Sequence, residues 1–447
     1  MNILFLVIDT LRYDYVSCSE SFEKSHKTPI LDEIASQGLI YDHAFSSGTS
    51  TPFSFPGILA SIYSSQTVTP GVIHAPLTFA EYLKQKGYVT FGSDGGNIYV
   101  SDLYGYARGI IFWQSERKME LKKRFLKSKI KKALEKMKLG NLTYKASEIF
   151  KILLNVAIIY KAQNQIDKFI ELLKENKNQR FFAFIDFMDV HGPYQGLWEQ
   201  SLRERFLINK FFRDRGKFSR EEAKKWRTLA EDWYTQGLEI VEHHIGRLLN
   251  ALDTMGILRD TIVIITSDHG EEFLEHGNFD HLPKPFEEII RVPLIVKVGN
   301  EKFSQEERNS EKKKLVSLVD LAPSISRFLF GEKPKEFVGK DTLFGGKDTR
   351  EYIYCEGFRR KDSIAHDPLK KGIHNWCIRT KDKKLMKLDG QLYLFDLRAD
   401  PKEQYPSKIE DTSQIPEEIQ SYMKNFKHEL LRYTLKNRYW KKFLRIP

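Results

Sequence analysis

Several stretches of this 447-residue chain carry side chains able to do chemistry, and most of them begin where an apolar run stops. Thr261 to Thr266 is apolar or β-branched throughout and runs into Ser267-Asp268-His269-Gly270, so a buried strand would end by setting a carboxylate beside an imidazole, a natural place for a metal ion. Ile3 to Ile8 is a second such run, and it stops at Asp9. Arg180 to Tyr194, R-F-F-A-F-I-D-F-M-D-V-H-G-P-Y, carries a third into a Gly-Pro turn that exposes His191. Between them lies Ser46 to Ser61, S-S-G-T-S-T-P-F-S-F-P-G-I-L-A-S, denser in hydroxyls than a core segment needs. Its prolines can set the first turn of a helix, which places a hydroxyl near free backbone N–H groups and a favourable dipole. That geometry suits an oxygen nucleophile attacking an anionic ester. Each segment also has a plainer reading: Asp9 as a helix N-cap, the hydroxyl loop as a capping turn, Asp268-His269 as a strand exit.

The elements that would position these residues follow a strand-helix-strand rhythm. Thr28 to Ala35 reads as a short helix with Pro29 at its start and Gly38 at its end, and Leu77 to Val89 as a helix closed by Gly87 and followed by a strand. Gly92-Ser93-Asp94-Gly95-Gly96-Asn97 leaves that strand as a further loop on the same edge. Tyr234 to Leu252 is a long amphipathic helix before the Asp268 strand, and Val292 to Val298 is one more buried strand. Chemistry at strand ends belongs to a doubly wound, mostly parallel α/β sheet sandwiched by helices, whose ligands bind at the carboxyl edge. Beyond Gly331 the pattern changes to short strands at Tyr352-Ile353-Tyr354, Cys377-Ile378-Arg379 and Leu392 to Phe395, with Asp389-Gly390 as a hairpin turn. A charged helix follows from Pro416 to about Lys436. The expected organisation is a catalytic domain over residues 1–330, with a basic helical insertion at 113–180, and a small antiparallel α+β subdomain over 331–447.

Composition narrows the class. Hydrophobic residues make up 41% and charged residues 29%, which suits a globular protein with a solvated surface. Cys18, Cys355 and Cys377 are few and far apart, so free thiols and a reducing compartment are expected. The first residues lack a basic leader and their apolar run is too short to span a bilayer, so the expected location is cytoplasmic. Of the net charge of +11, a surplus of nine lies between Arg117 and Lys138, where eleven Lys or Arg oppose Glu120 and Glu135. Such a stripe is either a solvated helix face or a peripheral contact for an anionic polymer or membrane; no specific nucleic-acid motif accompanies it.

Taken in order, these motifs resemble the sulfatases of the alkaline phosphatase superfamily over nearly the whole chain. The resemblance rests on V-I-D-T-L-R, the hydroxyl loop ending in I-L-A-S, L-T-F-A-E-Y-L-K-Q-K-G-Y, F-M-D-V-H-G-P-Y, I-G-R-L-L-N-A-L, T-S-D-H-G-E-E-F-L-E-H-G, R-V-P-L-I-V, S-L-V-D-L-A-P-S and L-Y-L-F-D-L-R-A-D-P-K-E-Q. It implies that Asp9, Asp268 and His269 coordinate one divalent cation (Ca, Mg, Mn or Zn), with the nucleophile as fourth ligand. Aligning Ile58 to Ser61 with the end of the family's C/S-x-P-S-R-x-x-x-L-T-G pattern puts the nucleophile at Thr51. Formylglycine requires Cys or Ser there, and Phe55 replaces the Arg that helps hold it, so formylglycine is not expected. Thr51 is instead similar to the direct threonine nucleophile of lipoteichoic acid synthases and phosphoethanolamine transferases. Thr10 stands where many sulfatases carry a second aspartate, and Gly92 to Asn97 lacks their G-K-W-H lysine and histidine.

By the same resemblance, His191 and His281 are catalytic groups around the transferred group, and Asn97 donates to its oxygens. His276 either binds substrate or orients neighbouring loop residues. The implied substrate is an anionic ester, glycan-linked or small. The leading expectation is a metal-dependent hydrolase of sulfuric or phosphoric esters. A transferase moving a phospho-substituent onto a surface glycan or lipid precursor differs only in the acceptor of the second step. A non-catalytic binding protein is the third reading, motivated by the missing Arg and Lys.

Overall fold

Strand β1 (Asn2–Ile8) is apolar at every position but its first because both faces of the sheet are covered. Leu4, Leu6 and Ile8 enter one core, while Ile3, Phe5 and Val7 enter another on the opposite side. The computed structural model describes residues 1–67, 71–115, 162–194, 207–208, 210–212, 214, 217–359 and 373–434. The described strands continue with β2 (Leu39–Ile40), β3 (His43–Phe45), β4 (Val89–Ser93), β5 (Phe112–Gln114), β6 (Phe181–Phe187), β7 (Thr261–Thr266), β8 (Glu272–Phe273) and β9 (Phe279–Asp280). After them come β10 (Leu294–Val298), β11 (Leu315–Ser317), β12 (Ile353–Arg359), β13 (Ile373–Arg379), β14 (Lys383–Leu388), β15 (Gln391–Asp396) and β16 (Ser407–Ile409). Seven of these form the main sheet in the order β2-β10-β7-β1-β6-β4-β5. Its five central and right-hand strands run parallel, and β10 joins β7 antiparallel. The doubly wound sheet expected from sequence is therefore present, with an antiparallel edge that an apolar run such as Leu294–Val298 cannot disclose, since direction is not encoded in a strand's hydrophobicity.

Helices cover both faces. On the first core lie α1 (Pro29–Gln37), and on the second α2 (Thr51–Ala60) and α3 (Phe79–Gln85); α4 (Ala162–Glu175) and α5 (Arg220–Thr254) return to the first. The short α6 (Glu287–Ile290) and α7 (Gln305–Lys312) precede α8 (Leu321–Phe330), which also packs on the second core. Helix α3 is shorter than the pattern from Leu77 suggests because Thr78 caps it, its Oγ1 accepting from the Glu81 N–H at 3.1 Å. Helix α5 is longer than Tyr234 to Leu252. Its charged first half, capped by Ser219, carries Trp226 and Trp233 into the core on a face that the surrounding charges mask in sequence. No described helix is long and apolar enough to cross a membrane.

The region read as a basic insertion at 113–180 divides differently in the structure. Trp113 and Gln114 lie on the edge strand of the main sheet, and Ala162–Glu175 forms α4 against its first core. The stripe at 117–138 lies outside the described residues. Beyond α8 the chain forms a second, antiparallel sheet in the order β12-β13-β14-β15-β16, followed by α9 (Glu417–Thr434). The Asp389-Gly390 turn joins β14 to β15 with φ of 50° and 94°, as a two-residue hairpin of the expected kind requires.

Candidate metal and nucleophile site

Strands β1 and β7 are parallel neighbours with Val7 opposite Thr266. Continuing that register by two residues brings Asp9 level with Asp268, so residues far apart in the chain leave the sheet side by side. Both carboxylates and the His269 ring are fully buried. One ligand atom from each of Asp9, Asp268 and His269 lies within 4.8 Å of the others. His269 Nδ1 is 2.9 Å from the Gly270 carbonyl, so Nδ1–H donates there and the Nε2 lone pair faces the carboxylates, 3.2 Å from Asp268 Oδ2 and 3.8 Å from Asp9 Oδ1. Asp268 Oδ1 accepts from the backbone N–H of His269 at 2.9 Å and of Thr10 at 3.3 Å. Thr10 adopts φ 64° to present that N–H, a left-handed conformation that β-branched residues avoid. Gly270 must be glycine because a Cβ there would stand 2.0 Å from the Glu288 carbonyl oxygen.

Thr51 is the first residue of α2, where the helix leaves backbone N–H groups without intrahelical partners. Its Oγ1 lies 3.3 Å from Asp9 Oδ2 and 3.4 Å from His269 Nε2. The hydroxyl therefore joins the two carboxylates and the imidazole as the fourth member of one cluster. Two features show that a divalent cation fits these residues. Asp9 Oδ1 is buried without a hydrogen-bond partner, and no Lys or Arg among the described residues bonds to Asp9 or Asp268. Burial pushes the Asp9 carboxyl well above its usual range, helped by the nearby charge of Asp268, while burial lowers the His269 imidazole. A cation would reverse the penalty on Asp9 and needs the neutral imidazole that burial favours.

Asn97 sits on the loop after β4, and its Nδ2 donates to Asp9 Oδ2 at 2.8 Å and to Asp186 Oδ2 at 3.3 Å. Its Oδ1 accepts from the Tyr99 N–H, which fixes the amide's orientation. Asn97 thus holds one carboxylate of the candidate metal site. His191 and His281 are brought to the site: the His281 ring centroid is 4.5 Å from that of His269 and 5.0 Å from that of His191. His281 Nδ1 lies 2.6 Å from Asp280 Oδ1, and His191 Nδ1 faces the Gly192 carbonyl across a cis Gly192-Pro193 bond. His276 is engaged elsewhere. Its Nδ1 is 2.6 Å from Glu288 Oε1, its Nε2 is 3.2 Å from the Glu403 carbonyl, and its ring stacks on Phe286 at 3.5 Å. Of its two expected roles, this geometry matches orienting the loop.

Two further residues enter the site. Ser54 Oγ is 3.3 Å from Asp268 Oδ2, one helical turn beyond Thr51, a spacing that marks it in sequence once α2 is placed. Asp186 is fully buried on β6 opposite Val7, and its Oδ1 has no hydrogen-bond partner. Burial raises its carboxyl well above the usual range, with Asp9 and Asp268 adding to the shift. Its only sequence signal is a lone carboxylate inside F-F-A-F-I-D-F.

Among curated relatives, the chain is 27% identical over 271 residues to an N-acetylglucosamine-6-O-sulfatase of Bacteroides thetaiotaomicron, covering 57% of this chain and 46% of that protein. It is 23% identical to the uncharacterized sulfatase YidJ of Escherichia coli K12 over 99% of this chain and 90% of YidJ. It is 30% identical to an arylsulfatase of Clostridium perfringens over 50% of this chain and 44% of that enzyme. The chain thus spans under half the length of two of these relatives. Among solved structures, BT4656 in complex with its substrate D-glucosamine-2-N,6-O-disulfate matches with a TM-score of 0.63 at 19% identity, over 99% of both chains. The phosphonate monoester hydrolase of Agrobacterium radiobacter matches with a TM-score of 0.61 at 15% identity, over 97% of this chain and 95% of that one. The family model described as Sulfatase matches residues 1–331, the segment that carries Asp9, Thr51, Asp268 and His269, and the chain accordingly belongs to the sulfatase family.

Proposed function

We propose that this chain is a metal-dependent sulfatase-like hydrolase of sulfuric or phosphoric esters with Thr51 as its nucleophile. The observation that carries the proposal is the convergence of the Thr51 hydroxyl on Asp9 and His269 at the N-terminus of α2. Asp9, Asp268 and His269 would hold the cation. Once bound there, a divalent ion lowers the proton affinity of an adjacent hydroxyl and neutralises non-bridging ester oxygens. Thr51 then attacks sulfur or phosphorus in line, its new S–O or P–O bond forming as the bond to the leaving oxygen breaks. His191 and His281 stand next to this position and supply the donors that stabilise the transferred oxygens or protonate the leaving one. Water then attacks the sulfur or phosphorus of the resulting sulfo- or phospho-threonine, the bond to Thr51 Oγ1 breaks as the new bond forms, and sulfate or phosphate leaves while a proton from the water restores the Thr51 hydroxyl. Asn97 serves this scheme by holding Asp9.

Similarity to an N-acetylglucosamine-6-O-sulfatase, and to BT4656 with its substrate D-glucosamine-2-N,6-O-disulfate, supports an anionic, glycan-linked ester as substrate. Calcium, magnesium, manganese and zinc all suit two carboxylates, one hydroxyl and one imidazole. The test is a panel of aryl sulfate, phosphate monoester, phosphodiester and phosphonate esters, each assayed with each metal against Thr51→Ala. Metal-dependent turnover of at least one ester, reduced about a thousandfold or more in the variant, is expected. Full turnover by Thr51→Ala would remove the nucleophile assignment, and no metal binding by calorimetry would remove the mechanism.

A further inference from the structure

Strands β12 and β13 pair antiparallel in a register that sets Cys355 directly opposite Cys377. Both side chains are fully buried in a small core with Phe45, Ile353 and Met386, and both are free thiols. Residues directly opposed across an antiparallel ladder have Cα atoms about 4.5 or 5.5 Å apart. Either spacing falls inside the range of about 4.4–6.8 Å that a disulfide bridges. We propose that Cys355 and Cys377 are a modification site, forming a reversible cross-strand disulfide with a small-molecule disulfide such as oxidised glutathione, and that this bond fastens the strand bordering the nucleophile loop.

The chemistry balances with that oxidant. As the chain folds, before β12 and β13 close over the pair, one cysteine thiolate attacks the small disulfide, forming a mixed disulfide and expelling one thiolate. The facing cysteine then attacks the protein sulfur of that mixed disulfide and expels the second, and the two cysteine protons end on the two released thiols. Cys18, beside Asp32 and remote in sequence, faces no second cysteine, so the pair reacts as a unit and Cys18 does not.

The residue after Cys355 gives the bond its consequence. The Glu356 N–H donates to the Ser47 carbonyl and its carbonyl accepts from the Thr49 N–H, both at 3.1 Å. Its Oε1 accepts from the Ser65 N–H at 2.7 Å. Glu356 therefore extends β12 alongside the segment that leads into Thr51. Gly357 follows because a Cβ there would stand 2.0 Å from Thr49 Oγ1. A covalent tie from Cys355 to β13 closes a loop of about twenty residues and restricts the unfolded chain more than the folded one.

The test uses the full chain, unfolded and refolded in buffers of increasing oxidised to reduced glutathione, then denatured, alkylated and analysed by intact mass and peptide mapping. The expected result is loss of two hydrogens, a Cys355–Cys377 cross-linked peptide, one alkylated thiol at Cys18, and a thermal midpoint that rises and returns to its starting value with reductant. Cys355→Ser should show none of these changes. Three alkylatable thiols throughout, pairing with Cys18, a persistent glutathione adduct on either partner, or a cross-link that lowers the midpoint would each overturn the proposal. None of these readouts depends on catalysis, so the outcome is separate from that of the ester-hydrolase reading.

Discussion

At the residue scale, the site divides into side chains that face the reacting centre and side chains that hold them. Asn97 is of the second kind, because its amide is pinned at one end by the Tyr99 N–H and donates from the other to Asp9 and Asp186. Removing it in Asn97→Ala leaves Asp9 Oδ2 with the Thr51 hydroxyl alone and sets two buried carboxylates near each other with no donor between them. Partners of metal-ligating groups typically contribute about 10–100-fold in metal affinity. A loss of that size is therefore expected by calorimetric titration of the metal-free protein, and unchanged affinity would assign Asn97 to the substrate after all. Asp9, Asp268 and His269 were legible in sequence as candidates because each follows an apolar run, and only the resemblance to the sulfatases grouped them as one ligand set. Asp186 was not, since a carboxylate inside a strand becomes meaningful only when register places it opposite Val7 and beside the metal site.

At the element scale, a strand's hydrophobicity records burial but not direction, and a helix's apolar stripe records only the turns that touch the core. That is why the antiparallel direction of β10 and the first half of α5 escaped the sequence reading while β1, β6 and β7 did not. A contact between helices shows what else was hidden. Glu242 of α5 caps α1 from outside, its Oε1 accepting from the Ile30 N–H at 2.8 Å and the Leu31 N–H at 3.0 Å. Burial nevertheless pushes its carboxyl up to about 7, the two backbone donors offsetting only part of the effect. Between pH of about 4.5 and 7 the folded state keeps this proton while the unfolded chain has lost it, so this group's contribution to stability falls as pH rises and is level above about 7. Glu242→Gln keeps an acceptor oxygen and cannot ionise. Urea unfolding should find the variant close to wild type at pH 5 and more stable at pH 8, by a margin of order about 3 kcal/mol at most. A wild-type advantage that grows with pH would mean that the ionised cap is the stabilising form.

At the scale of the whole molecule, the short strands beyond Gly331 could be read as a separate appendage, yet the structure joins them to the catalytic layer through buried charge. Lys384 on β14 is fully buried, with Nζ 2.8 Å from Glu287 Oε1, 2.7 Å from Glu403 Oε1 and 3.0 Å from the Pro285 carbonyl. Burial disfavours its charge, but Glu287 and Glu403 outweigh that and raise it above the ordinary lysine value. Arg379 on β13 reaches the same Glu287 at 3.2 Å, and the Glu403 carbonyl receives His276 from the loop that carries His281. Lys384 and Arg379 therefore tie the second sheet to α6, and the Glu403 carbonyl ties it to the loop that carries His281. Breaking a buried ion pair on one side strands the other charge and costs about 3–5 kcal/mol, whereas replacing all partners with neutral groups is often close to neutral. Lys384→Met should accordingly lower the thermal midpoint sharply, and the triple change Lys384→Met, Glu287→Gln, Glu403→Gln should recover most of the loss. If the single change instead leaves the midpoint unaltered, the two units are held by apolar contact alone. If it lowers the midpoint but the triple change does not recover it, Lys384 acts through packing of its stem. Recovery of stability without recovery of metal affinity would further show that Glu287 and Glu403 also align the loop from Gly270 to His281, so that the second sheet helps shape the site as well as stabilise it.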